Sequence, residues 1–213
     1  MRDLGLAAAL LLAGCGGTGK GADDEAGPGA NAAAARAPAS ASRDEAPPPP
    51  ASAPALTAEG FGPLRIGMSR AEVVKALGED SDPEAEGGPD PERCDMFRPE
   101  RAPEGMLVMI EDGRLTSVSL IEGSTVRTDR GLGLGATAAE VKAAYGKALR
   151  AGPHKYEEAP AEYLTAWARD PPRDERSEAA PTARGIRFEV GARGNVQSIS
   201  AGGPSIEYVE GCA

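Results

Sequence analysis

Aromatic side chains are scarce in this sequence: Phe, Tyr and Trp together make up 4% of 213 residues. A chain packed throughout needs more, and 28 Gly and 19 Pro add to the mismatch, so part of the chain is expected not to fold. Histidine occurs once, as His154, and cysteine three times. Thiols with a single imidazole make no convincing zinc set, and neither a metal nor another cofactor is expected. Basic side chains are the minority, 23 Lys and Arg against 33 Asp and Glu, for a formal charge of −10. That field repels a polyanion and no Lys/Arg stripe offsets it. Nucleic acid is thereby excluded as a partner, and an anionic membrane surface is disfavoured as the main attraction. Long apolar runs are lacking too: residues 4–14 form an uncharged run of 11 residues. It reaches about 16 Å against a hydrocarbon core of about 30 Å, too short for a transmembrane span.

What that run suits is the h-region of a signal peptide over residues 1–14. Small residues at Ala13 and Gly14 let a peptidase approach the backbone, and a thiol follows. Leu12-Ala13-Gly14-Cys15 resembles the lipobox of bacterial lipoproteins. The resemblance implies diacylglyceryl transfer to Cys15, cleavage after Gly14 and acylation of the new amine, for example with palmitate. Membrane lipid held through Cys15 is then an expected partner, since two or three chains anchor stably where one does not. Gly16 after the cysteine resembles the default that releases Gram-negative lipoproteins to the outer membrane. The expected location is the bacterial cell envelope, on the inner leaflet of the outer membrane, with the folded part in the periplasm.

Residues 16–57 hold 14 Ala, 7 Pro and 6 Gly and no aromatic residue. Such a stretch cannot bury enough apolar surface to offset its ordering entropy, so residues 15–57 are expected to be the lipidated cysteine and a disordered tether. With Cys15 assigned to lipid, Cys94 and Cys212 remain, and an oxidising compartment makes them the available intramolecular bridge.

The folded part repeats itself. Ile66-Gly67-Met68-Ser69-Arg70-Ala71-Glu72-Val73-Val74-Lys75-Ala76-Leu77-Gly78 matches Leu134-Gly135-Ala136-Thr137-Ala138-Ala139-Glu140-Val141-Lys142-Ala143-Ala144-Tyr145-Gly146 at 6 of 13 positions. In each copy Ser69 or Thr137 is a helix N-cap, and Glu72 or Glu140 three residues on closes a capping box. Val73 with Leu77, and Val141 with Tyr145, are i,i+4 pairs turned to a core. Further on, residues 107–120 and 185–200 each alternate through a turn, as antiparallel hairpins with one buried face do, with Asp112-Gly113 suited to a type I′ turn. Residues 94–97 and 163–167 add a strand to each set. The expected fold class is α+β: two tandem units, residues 58–123 and 124–213, each a short capped helix followed by a hairpin or small sheet. Each is too small for a robust core alone, so the two are expected to join sheets or pack side by side.

The signature Gly-small-Ser/Thr-x-x-Glu-Val-x-x-x-Leu/Tyr-Gly followed by a hairpin resembles small envelope lipoproteins of the BamE (SmpA/OmlA) type. Tandem copies resemble the two-unit architecture of β-lactamase inhibitor protein. What the resemblance implies is a non-enzymatic protein whose sheet or loops dock onto another envelope protein.

Other features are weaker. The acidic loop at residues 79–88 lacks the calcium-loop pattern, with Ala85 where glycine is needed and Pro91 where the bidentate glutamate belongs. Residues 169–178 are a mixed-charge insertion. Gly131-Leu132-Gly133-Leu134-Gly135 lacks the Lys-Ser/Thr ending of a phosphate loop, and no serine sits in a nucleophile elbow, so no catalytic residue is named. Because aromatics are few, Tyr156, Tyr163, Trp167 and Tyr208 are the candidate protein-contact residues, with core packing as their alternative role. The expected function is a lipid-anchored, non-enzymatic binding or scaffold module. The alternative is an inhibitor of, or enzyme acting on, a secreted hydrolase or cell-wall substrate.

Overall fold

The computed structural model describes residues 53–84, 87–172 and 179–212, all within one compact unit, residues 50–213. Helices α1 (Arg70–Leu77) and α2 (Ala138–Tyr145) are two turns each. At α1 the Ser69 hydroxyl accepts the Glu72 N–H at 3.3 Å while the Glu72 carboxylate accepts the Ser69 N–H at 2.8 Å. The same exchange at α2 joins Thr137 and Glu140 at 3.2 and 2.7 Å. The backbone N–H of Ser69, and after it the Ser69 hydroxyl, hold the Glu72 carboxyl below its ordinary value, and Thr137 does the same for Glu140. Val73, Leu77 and Val141 are buried.

The strands are β1 (Leu56–Thr57), β2 (Gly60–Phe61), β3 (Cys94–Phe97), β4 (Met106–Glu111), β5 (Arg114–Leu120), β6 (Leu149–Pro153), β7 (Glu162–Arg169), β8 (Arg184–Val190) and β9 (Val196–Gly202). β1 and β2 form a small two-stranded sheet. The others form one antiparallel sheet in the order β3-β4-β5-β9-β8-β7-β6. At the β4–β5 turn Asp112 and Gly113 both take positive φ, 47° and 74°, as a type I′ turn requires.

This sheet corrects the expectation of two tandem units, and with it the likeness to BamE-type lipoproteins and to the two-unit inhibitor. β5 and β9 pair directly, with Ser117 opposite Gly202, Ser119 opposite Ser200 and Leu120 opposite Ile199, and the Ser119 and Ser200 hydroxyls are 2.9 Å apart. The reason is the open edge. A separate β3-β4-β5 sheet leaves β5 unpaired and a separate β9-β8-β7-β6 sheet leaves β9 unpaired, and joining them removes both edges. One core results: Val108, Val118 and Leu120 share it with Leu164, Phe188 and Ile199, and Val73 and Val141 of both helices pack into it. Each helix is also fastened to a hairpin. Arg70 N–H bonds Gly113 O at 3.2 Å and Leu115 N–H bonds Met68 O at 2.7 Å, while Ala138 N–H bonds Gly194 O at 3.1 Å and Val196 N–H bonds Ala136 O at 2.8 Å.

Strand alternation leaves a second face, opposite the helices. One row across it is Met96, Met109, Ser117, Gly202, Gly185 and Trp167. The next runs Leu107, Ser119, Ser200, Arg187 and Thr165, and a third holds Ser198, Glu189 and Tyr163. The chain after β9 returns onto this face through a 3₁₀ turn, Pro204–Glu207. Ile206 is buried with Trp167 and Ala183, and Arg187 donates to Ile206 O at 3.1 Å. The segment ends where Cys212 is joined to Cys94 of β3 by a disulfide with Cα atoms 5.4 Å apart. At Gly211 φ is 60°, in the left-handed region that favours glycine, and the strap passes close to the Met96 side chain there.

The disulfide also corrects the membrane-lipid partnership. The described cysteines, Cys94 and Cys212, are bonded to each other, and neither offers a thiol for a lipid anchor. Cys15, with the signal-peptide assignment and the tether up to residue 52, lies outside the described residues, whereas the end of the expected tether is ordered: Leu56 and Thr57 form β1 and Leu56 is buried in the core. Among the described residues no helix is long and apolar enough to cross a membrane.

Candidate functional site

The loop between β6 and β7, residues 154–161, is built around a buried ring. The His154 side chain is 3% exposed and stacks on Tyr163 with ring centroids 4.7 Å apart. Tyr163 in turn has the Arg187 guanidinium 3.8 Å above its ring. His154 Nδ1 accepts the N–H of Tyr156 at 3.2 Å and of Glu157 at 3.0 Å, and Nε2 lies 3.0 Å from Glu189 Oε1. These bonds turn the chain so that Tyr156 stands outward, 62% exposed. Across from it runs the C-terminal strap, where Tyr208 is 51% and Val209 38% exposed. Glu210 ties the two segments together: it accepts the Tyr156 hydroxyl and pairs with Lys155 Nζ at 3.2 Å. Lys155 also sits 5.1 Å over the Tyr156 ring.

Among the described residues, Tyr156, Tyr208 and Val209 are the exposed large apolar side chains, and they sit on segments joined by a single carboxylate. A groove of about 550 Å³ opens on the same loop, lined by Ala151, Gly152 and Pro153 together with Glu157, Glu158 and Glu162. Glu162 is paired with Lys142 of α2 at 2.6 Å. Beneath the strap, burial lowers the Arg187 guanidinium pKa, against the attraction of Tyr163, Glu207 and Glu189. Burial raises the Glu207 carboxyl, against the attraction of Arg187 and Arg150.

Of the four aromatic candidates, the structure brings Tyr156 and Tyr208 to the surface. Tyr163 is 9% exposed and Trp167 8%, one under His154 and Arg187, the other packed on Ala183 and Ile206. Ser69, Glu72, Thr137 and Glu140 stand at the helix starts, and Cys94 and Cys212 fasten the strap. Val209, Glu210 and His154 complete the site without a strong sequence signal. Ser198 donates to Glu189 Oε2 at 2.8 Å, so His154, Glu189 and Ser198 form a chain in which the hydroxyl bonds the carboxylate rather than the imidazole. That order does not prepare the hydroxyl for proton loss to the ring. Among the described residues no group of three or more His, Cys, Asp or Glu could hold a metal ion.

No protein-family model matches the chain, and no curated protein is significantly similar to it. Among solved structures it is similar to the crystal structure of a DUF4309 family protein (YjgB) from Bacillus subtilis subsp. subtilis str. 168. Identity is 14%, the match covers 68% of this chain and 84% of that one, and the TM-score is 0.40. Nothing further rests on this likeness.

Proposed function

We propose that the chain is a non-enzymatic protein-binding module whose contact surface is formed by Tyr156, Tyr208 and Val209. The observation that carries this reading is their placement: the exposed large apolar side chains among the described residues all lie on two segments that Glu210 ties together. Scattered single apolar residues are ordinary surface, whereas two exposed tyrosines on joined segments have the composition of an interface anchor. The partner is a basic protein surface, because Glu157, Glu158 and Glu162 line the adjoining groove and the chain carries −10. Export to an oxidising compartment belongs to the proposal and is supported by the Cys94–Cys212 disulfide.

A photo-crosslinking residue at position 209, in cells that make the protein, tests this. A discrete crosslinked protein is expected from position 209, reduced by Tyr156→Ala with Tyr208→Ala and weakened by salt. A probe at Lys147, exposed beyond α2, is expected to give none. Equal products from positions 209 and 147, or none from 209, would contradict the proposal.

A further inference from the structure

His154 is the one imidazole of the chain, and its surroundings determine the state of both ring nitrogens. Nδ1 accepts two backbone N–H groups, from Glu157 at 3.0 Å and Tyr156 at 3.2 Å, so it carries a lone pair and no hydrogen. Nε2 then holds the ring proton and donates it to Glu189 Oε1 at 3.0 Å. The other oxygen of Glu189 accepts the Ser198 hydroxyl at 2.8 Å, which keeps that carboxylate in place.

We propose that His154 is a proton-operated latch on the contact loop. As the neutral ring it folds residues 154–157 and presents Tyr156, and on taking a second proton it releases them. The latch regulates the contact surface proposed above, and its biological meaning rests on that reading.

The chemistry is one proton transfer. A solvent acid gives its proton to the Nδ1 lone pair, forming an N–H bond and an imidazolium. Nδ1 then faces the Tyr156 and Glu157 N–H groups donor to donor, and both lose their acceptor, the Tyr156 group at the exposed surface and the Glu157 group partly buried. Across the ring the existing Nε2–H bond to the Glu189 carboxylate becomes an ion pair. The ring therefore stays and the backbone leaves. The charged and titratable groups around the ring act as follows. From β8 come Glu189, which holds the cation, and Arg187, which opposes it across Tyr163 of β7. Glu162 of β7 is occupied by Lys142. Within the loop, Glu157 is bonded to Ala192 N–H at 2.6 Å, which pins the far end and confines the opening to the stretch before it. Glu158 lines the groove. Lys155 and Tyr156 both lean on Glu210 of the strap, and those two contacts go when the stretch moves.

Histidine changes charge between about pH 5 and pH 8, and asparagine does not. An Asn side-chain oxygen accepts N–H groups two and three residues ahead as Nδ1 does here, so His154→Asn keeps the fold of the loop without the proton. The test is amide hydrogen exchange together with nitrogen NMR of the imidazole in the intact protein. In the wild type the neutral ring is expected to show a bare Nδ1. Protection of the Tyr156 and Glu157 amides, corrected for intrinsic rate, is expected to fall at least about tenfold as the nitrogen signals report the second proton on the ring, while β8 and β9 hold theirs. In His154→Asn that protection is expected to stay level. A proton on Nδ1 at neutral pH, unchanged wild-type protection through the ring titration, or the same pH profile in the Asn variant would overturn the latch. Should the variant not fold, the wild-type nitrogen and amide measurements decide alone. Neither needs a partner, so a working latch with no pH response of the position 209 crosslink would fault the contact surface instead.

Discussion

Glu210 shows how little energy the proposed contact surface needs to be held together. Its pair with Lys155 is about half exposed on both sides, and exposed pairs contribute about 0–1 kcal/mol. Glu210→Ala is accordingly expected to leave the melting temperature nearly unchanged while lowering the crosslink yield from position 209. A large loss of stability would mean that Glu210 serves packing rather than presentation. Glu207, three residues earlier, behaves oppositely. Burial raises its carboxyl pKa above the unfolded value, so its contribution is fully present below the unfolded pKa and is lost as pH rises through the folded one. Glu207→Gln stays neutral and is expected to stabilise the protein at neutral pH, with the gain vanishing in acid. Urea unfolding at the two pH values checks both the sign and the direction.

The helices and the strap are the elements whose energetics can be isolated. Ser69→Ala removes the hydroxyl half of the α1 capping box and is expected to cost about 1 kcal/mol, measured by urea unfolding. Because Glu72 and Glu140 are held below their ordinary values, their contribution is present above the unfolded carboxyl pKa and disappears as pH falls through the folded one. The Ser69→Ala penalty should therefore shrink in acid. Reducing Cys94–Cys212, which spans 118 residues, is expected to cost at most about 4–5 kcal/mol by loop-closure entropy and to free the strap without changing strand content. The helices were legible because a capping box is written within four residues. Strand pairing was not: the alternation of residues 115–120 reads the same whether β5 ends a sheet or meets β9, and the Ser119–Ser200 contact joins residues 81 apart. Aromatic scarcity likewise picked out Tyr156, Tyr163, Trp167 and Tyr208 but not their faces. Tyr163 and Trp167 sit in β7, where His154 and Arg187 cover the first and Ala183 and Ile206 the second.

At the scale of the molecule, the proposed contact surface is a product of the fused sheet. The strap starts from β9, crosses the face opposite the helices and is fastened to β3, while the Tyr156 loop hangs from β6 and β7 near the other edge. Both segments converge only if the sheet is continuous, so the amides of β4 and β9 are expected to exchange through the same global opening. Separate opening of β3-β4-β5 would contradict a single core. The central claim is that this assembled face is what a partner touches. Its most direct test is the exchange footprint of the complex with the protein crosslinked from position 209, isolated and compared with the free chain. Protection confined to residues 154–158 and 208–210, with α1 and α2 unaffected, is the predicted result. Protection over the helices, or none at the loop and strap, would contradict it.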